Sequence, residues 1–220
     1  LSEIPFVVYI RHLPSGSTGL VRLLRAFYLR NSTVVARDLL GKLLVRSAGG
    51  RRLSGTIVEV EAYRGMRDPA SHAYRGRTSR NEVMFGEPGH AYVYFTYGNH
   101  YCLNVTCEPP GSPAAVLIRA IEPREGVETM RANRGVTGLL DLASGPGKLT
   151  KALGIGRDLN GEDLVSSERL FLEEGERPHA VATSARVGIS KGSGFQWRYF
   201  AEGSPFVSRG KPSAPRPQNP

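Results

Sequence analysis

Two glutamates stand two residues apart in IVEVEAY, residues 57–63. Strand alternation would put Ile57, Glu59, Glu61 and Tyr63 on one face and Val58, Val60 and Ala62 on the other. A carboxylate beside aromatic rings in a partly dry cleft suits a general base, or a group that stabilises positive charge in a transition state. The same spacing also fits a half-buried strand with an ordinary polar face. Two features favour chemistry: Tyr63 continues the glutamate face, and the polar stretch that follows carries His72. Carboxylates that work as a pair on a glycosidic bond must flank it, whereas neighbours on one strand face point in parallel. Glu59 and Glu61 therefore do not read as such a pair.

Other polar groups are weaker candidates. His100, Cys102 and Cys107 follow H-x-C-x4-C, which matches no usual zinc pattern, and a strand would send the two cysteines to opposite faces. No metal is expected. SGPGKLT at 144–150 lacks the first glycine of a phosphate-binding loop, because Leu142 stands there, and has Leu149 where Ser or Thr should follow Lys148. It either offers bare N–H groups and Lys148 to a single phosphate or simply starts a helix. HAYVYFTYGNHYCLNVT at 90–106 holds four of the nine tyrosines and reads as a β-hairpin reversing at Gly98-Asn99. Tyr97 then sits at the tip, where polar residues are the norm.

The elements that must position these groups follow from periodicity. Residues 18–29 place Leu20, Leu24 and Phe27 at helical spacing, and NSTVVARDLLG reads as a short helix capped by Ser32 or Thr33 and stopped at Gly41. KLLVRS, the turn AGGR and LSGTIVEVEAY form a hairpin whose second strand runs to about Tyr63. Residues 64–82 are a long polar loop, PAAVLIRAIEP a buried strand, and REGVETMRANR and GPGKLTKALGI helices. Short strands and turns alternate through the last third, and residues 209–220 read as a disordered, basic, proline-rich tail. The expected fold class is α+β: a single mixed domain over residues 1–208, with a mainly antiparallel curved β-sheet, flanking helices and a protruding hairpin.

At 220 residues and 40% hydrophobic, the chain can bury one substantial core. It has no run of about 18 apolar residues, so no membrane association is expected. The apolar N-terminal run lacks a basic leader and a cleavage site, and only two cysteines occur, which favours an intracellular protein. Net charge is +9, carried by 24 arginines and five lysines. Such a balance suits a polyanionic partner, although arginine-rich codon usage would also produce it.

IVEVEAY, DPASHAYRGRTSRNEVMF, GHAYVYFTYGNHYCLNV, AVLIRAIEP, SGPGKL, SARVGI and RYFAEGSPFVS, in this order, resemble the 3-methyladenine (alkyladenine) DNA glycosylase family over residues 34–208. The resemblance implies base-excision repair of damaged double-stranded DNA by a monomeric, DNA-associated enzyme without a cofactor. It implies that Tyr97 enters the minor groove and fills the gap left by an extruded nucleotide. Glu61 would activate water for attack on the sugar C1′, with Arg119 and the Val187 carbonyl placing that water. Tyr63 and His72 would line one side of the flipped base, Tyr94 the other, and the bulk of Asn104 would disfavour guanine. Arg80, Gly145, Gly147 and Lys148 would meet the DNA backbone. Substrates would be 3-methyladenine and 7-methylguanine, with hypoxanthine and ethenoadenine as further candidates. Asn99, His100 and Ser79 depart from the family pattern, on the DNA-facing rim.

The physics of this scheme is sound. Extruding a base costs a few kcal/mol, which an intercalating ring partly offsets. Cationic alkylpurines leave readily and stack well on tyrosine faces. No lysine occurs between Lys42 and Lys148, so hydrolysis without a Schiff base or lyase step is expected. The competing reading is a non-catalytic nucleic-acid binder that uses basic loops and stacking tyrosines, which leaves Glu61 and His72 without a role.

Overall fold

The computed structural model describes residues 21–214. Alternating branched side chains build its strands, and glycines set where they turn. β1 (Leu43–Ala48) and β2 (Arg51–Tyr63) form the expected hairpin, closed by Gly49 and Gly50 with φ of +56° and +71°. A two-residue hairpin turn needs that left-handed pair. β3 (Ala91–Thr96), β4 (His100–Cys107), β5 (Ala114–Glu125) and β6 (Leu170–Glu173) complete an antiparallel path in the order β3-β4-β5-β2-β1-β6. β1 pairs with β2 only as far as Thr56. Beyond it β8 (Arg198–Ala201) takes the same edge over Glu59–Glu61, with β7 (Val181–Ser184) outside it. The glutamate stretch therefore lies between β5 and β8, sealed on both edges.

Helices α2 (Ser32–Leu39), α3 (Val127–Arg134) and α4 (Pro146–Leu153) cover one face of this sheet. Val35, Met130 and Leu149 from these helices meet Leu44, Ile57, Val60, Leu103 and Ile118 from the strands in the main core. Each such side chain contributes about 1.5–3 kcal/mol on burial. The architecture is the expected mixed α+β fold with a curved antiparallel sheet. Among the described residues no helix is long and apolar enough to cross a membrane.

Four local expectations need correction. Only Arg25–Tyr28 is helical in the first segment (α1), because Arg22 and Leu23 pair with the end of β6 as an added ladder. Leu24 is consequently exposed, and Leu20 lies outside the described residues. The cap of α2 is Asn31, whose Oδ1 accepts the Thr33 N–H, while Ser32 bonds Glu108. Residues 209–213 are not free: Pro212 bridges Val187, and the Ser213 N–H bonds the Arg186 carbonyl. The rest of the proposed tail, residues 215–220, and the N-terminal run lie outside the described residues.

The fourth correction concerns β2 itself. In its register with β5, Ile57 faces Ile121, Glu59 faces Ala120, and Val60 faces Ile118. Val58 is thus an extra residue in β2, and Arg119 an extra one in β5. A bulge lets two successive side chains share a face. Ile57 turns into the main core, Val58 joins Ala120 on the opposite side, and Arg119 comes to lie beside the glutamates. The simple alternation expected for 57–63 holds only from Glu59 onward.

Gly65 opens the loop that carries His72, with φ +60° and a Cβ position 2.2 Å from the Pro113 carbonyl oxygen. Gly65→Ala is expected to destabilise the fold by about 2 kcal/mol or more. Urea unfolding should show a lower midpoint at unchanged m-value; a parental midpoint would mean that the loop yields freely.

Candidate active site

The two glutamates are both fully buried, yet their hydrogen bonds differ in kind. Glu59 Oε1 accepts from Arg119 Nε at 2.7 Å, Arg198 Nε at 2.7 Å and Ser208 Oγ at 2.9 Å, and its Oε2 accepts from the Ser208 N–H at 2.7 Å. A carboxylate has about four acceptor sites, and four donors meet Glu59, three on Oε1 and one on Oε2. Burial pushes its pKa up, but the Arg119 and Arg198 charges and their hydrogen bonds outweigh this and hold it below the ordinary value. Glu59 thus organises the side chains around it.

Glu61 keeps capacity in reserve. Its Oε1 accepts the Val187 N–H at 2.7 Å with Arg119 Nη1 at 3.2 Å, and its Oε2 accepts the Tyr63 hydroxyl at 2.9 Å. Among the described residues no fourth donor reaches it. Burial and the adjacent Glu61 charge hold the Tyr63 phenol well above its usual pKa, so it remains a donor. Arg119 spans both carboxylates, which the bulge at its position makes geometrically available.

Tyr63, Arg119 and Val187 separate Glu61 from a cavity of about 330 Å³, whose lining also includes His72, Tyr94, Tyr97 and Asn104. The sequence-predicted pocket residues therefore converge. Their arrangement departs from a simple slot, because the His72 and Tyr94 rings touch edge to face at 4.5 Å. Tyr94 faces His72 directly rather than across a gap. Asn104 donates its amide to the Tyr92 carbonyl at 3.0 Å, which fixes how it meets the cavity. The Val187 contact on display is made by its N–H rather than its carbonyl.

Several contributors escaped the sequence reading. Tyr92 Oη lies 2.8 Å from His72 Nδ1, and burial pushes that phenol up to about 12. Asn81 ties the loop behind His72, donating to the His72 and Gly76 carbonyls and accepting the Thr78 N–H. The alternation of Tyr92 with Tyr94 was the available signal for the first; Asn81 offered none. Lys191 also lines the cavity, returned there by the 187–191 loop, so an amine absent from segments 43–147 is supplied from elsewhere. Cys102 lines the cavity and Cys107 enters the core, on opposite faces as alternation requires.

At the hairpin tip Thr96 pairs with His100, and the Asn99 N–H bonds the Thr96 carbonyl. The central turn residues are therefore Tyr97 and Gly98, with φ of 51° and 69°, rather than Gly98 and Asn99. A left-handed aromatic residue costs about 1 kcal/mol or more. Tyr97 is nonetheless 79% exposed, in loose contact with the His100 ring at 5.8 Å. The ring is held out, not folded into a core. Arg80 lies on the rim with its guanidinium 5.2 Å over Tyr94. Gly145, Gly147 and Lys148 line a second hollow with Arg134, Lys151 and His100, which shares His100 and Pro146 with the first cavity. There the missing side chain of Gly147 admits the His100 ring.

Burial and, after it, the Arg80 charge lower the His72 pKa, although the residue as a whole is partly exposed. His72 is then neutral at pH 7. Its contribution to stability is present above the unfolded value of about 6.5 and is lost as pH falls through the lower folded value. NMR titration should place the His72 midpoint below about 6.5, and Arg80→Ala should move it upward. An unmoved midpoint would remove Arg80 as a cause.

The chain is similar to known proteins over most of its length. Residues 26–205 match the methylpurine-DNA glycosylase family. A chain from Desulfitobacterium hafniense (strain Y51), provisionally named a 3-methyladenine DNA glycosylase, is 48% identical over 199 residues, covering 85% of this chain and 98% of its own length. Similarly named chains from Koribacter versatilis (strain Ellin345) and Burkholderia orbicola (strain MC0-3) are 49% and 50% identical, covering 88% and 86% of this chain and 96% and 91% of their own. With the family matched over most of its length, the chain belongs to the methylpurine-DNA glycosylase family and is a DNA glycosylase.

Proposed function

We propose that this enzyme releases 3-methyladenine and 7-methylguanine from damaged duplex DNA by hydrolysis, with Glu61 as the general base. The observation that carries the reading is the contrast between the two buried carboxylates. Four donors meet Glu59, and of their residues only Arg119 belongs to the cavity wall, whereas the three that meet Glu61 (Val187, Arg119 and Tyr63) all line the cavity and leave an acceptor site on its Oε2 beside them. A water bound there would donate to Glu61 and attack the sugar C1′ as the base departs. The transition state resembles an oxocarbenium ion, which the same carboxylate stabilises. An alkylated purine already carries positive charge and leaves without a proton. Hypoxanthine and ethenoadenine are neutral and need one, which makes them slower substrates.

Tyr97 supports the DNA side of this reading. Its exposure and strained backbone suit a wedge that enters the stack when a nucleotide leaves it. Arg80, Gly145, Gly147 and Lys148 lie on the rim or beside the hairpin base, where a duplex backbone would pass. The enzyme works as a monomer on intracellular DNA, with neither metal nor cofactor.

Hydrolysis without a lyase step is retained despite Lys191. That residue is exposed, whereas an amine nucleophile of this kind requires desolvation. Borohydride should trap no covalent complex with lesion-containing DNA; a trapped species that Lys191→Ala abolishes would replace this mechanism.

Glu61→Gln should lower single-turnover release of 7-methylguanine about 10²- to 10⁴-fold while the protein still binds the duplex. Undiminished release would remove Glu61 from its role, and no release by either protein, with binding intact, would favour a non-catalytic binder. Tyr97→Ala should weaken binding to lesion DNA by about 1–3 kcal/mol and change stability by less than about 0.5 kcal/mol. A marked fall in Tm would assign the ring a packing role instead.

A further inference from the structure

Asp68 and Arg186 form an ion pair in which both side chains are fully buried. Arg186 Nη1 and Nη2 meet the two Asp68 oxygens at 2.5 Å and 2.8 Å, a bidentate fork. Neither residue lines the cavity. The remaining bonds of their side chains, however, end on segments that do, among them the Gly192 carbonyl, which Arg186 Nη2 reaches at 3.4 Å. Arg186 Nη1 donates to the Ala62 carbonyl at 3.0 Å, between Glu61 and Tyr63. Its guanidinium lies 4.6 Å from the centre of the Tyr63 ring and 5.1 Å from that of Trp197. Asp68 accepts the Arg64 and Ala70 N–H groups at 3.2 Å and 3.0 Å, which shapes the loop leading to His72. Gly192 closes against both partners, and a Cβ there would sit 3.1 Å from Arg186 Nη2.

The residue after Arg186 is Val187, whose N–H bonds Glu61. Three pieces of the site are thus referred to one point: the end of β2 with Tyr63, the 64–72 loop with His72, and the 186–192 loop with Val187. We propose that the buried Asp68–Arg186 pair is a positioning clamp for base release, holding Val187 and Tyr63 on Glu61 without touching the substrate. This rests on the role assigned above to Glu61. A buried ion pair is a poor source of stability, since an apolar pair of similar volume commonly serves as well. What the fork supplies is direction. An apolar pair would fill the space and let the two loops drift, and a misplacement of about 1 Å can cost about 100-fold in rate.

The test uses the full chain carrying Asp68→Leu with Arg186→Met, which leaves no unpaired charge, and separately Arg186→Lys, which keeps charge but loses the fork. Three readouts are compared. Single-turnover release of 7-methylguanine should fall more than about 10-fold in the double variant and less in Arg186→Lys, with affinity for the same duplex nearly unchanged. Exchange of the Val187 amide should accelerate, and emission from Trp197, the only tryptophan of the chain, should become more accessible to acrylamide. Parental release with parental Val187 exchange in the double variant would overturn the clamp. So would a rate loss that merely tracks the unfolded fraction. If the double variant does not fold, Arg186→Lys with parental rate and exchange overturns it equally. Amide exchange and Trp197 quenching do not depend on the reaction, so a clamp that loosens as expected around an enzyme that never used Glu61 would be recognised as such.

Discussion

Two carboxylates buried side by side on one strand are the constraint around which this fold is arranged. In a medium of low dielectric, like charges two residues apart repel strongly, and neither can be left without hydrogen-bond donors. Arg119 resolves the conflict by reaching both, with Nε on Glu59 and Nη1 near Glu61. It can do so only because β5 carries an extra residue at that point and β2 an extra one at Val58. Arg198 supplies the second positive charge from β8, which must therefore displace β1 from the edge of β2. The irregular register, the change of edge partner and the placement of the chain after β8 are one solution to a single electrostatic problem.

That solution also divides labour between groups of identical chemistry. Four donors meet Glu59, and its field and contacts serve Arg119. Three groups meet Glu61, and the residues that supply them all line the cavity. A count of donors distinguishes the two more sharply than burial, which is complete for both.

Much of this could be read from the residues, and the failures have physical causes. Period-two runs and glycine turns announced the β1–β2 and β3–β4 hairpins, because those signals are local. The pocket residues Tyr63, His72, Tyr94 and Asn104 and the partners of Glu61 came from matched motifs, since convergence of segments far apart in the chain has no local signature. The bulge at Val58 was invisible for the same reason: valine suits either face of a strand, and only pairing with β5 chooses. Residues 18–29 carried helical spacing, but Arg22 and Leu23 are drawn to the end of β6 and only Arg25–Tyr28 is helical. The lysine argument failed at Lys191 because a loop from late in the chain returns to a cavity built from its middle. At the tip, a tyrosine in a left-handed turn position contradicts local preference, and that conflict marks a place where something other than stability is being served.

Ser208 closes the environment of Glu59 across 149 positions of sequence. During synthesis the glutamates are made early, and the groups that neutralise them, Arg198 and then Ser208, emerge last. Until they arrive, Glu59 lacks three of its four donors, and Arg119 alone stands beside both carboxylates. The charge network at the centre of the sheet can therefore close only when β8 and the segment after it have docked.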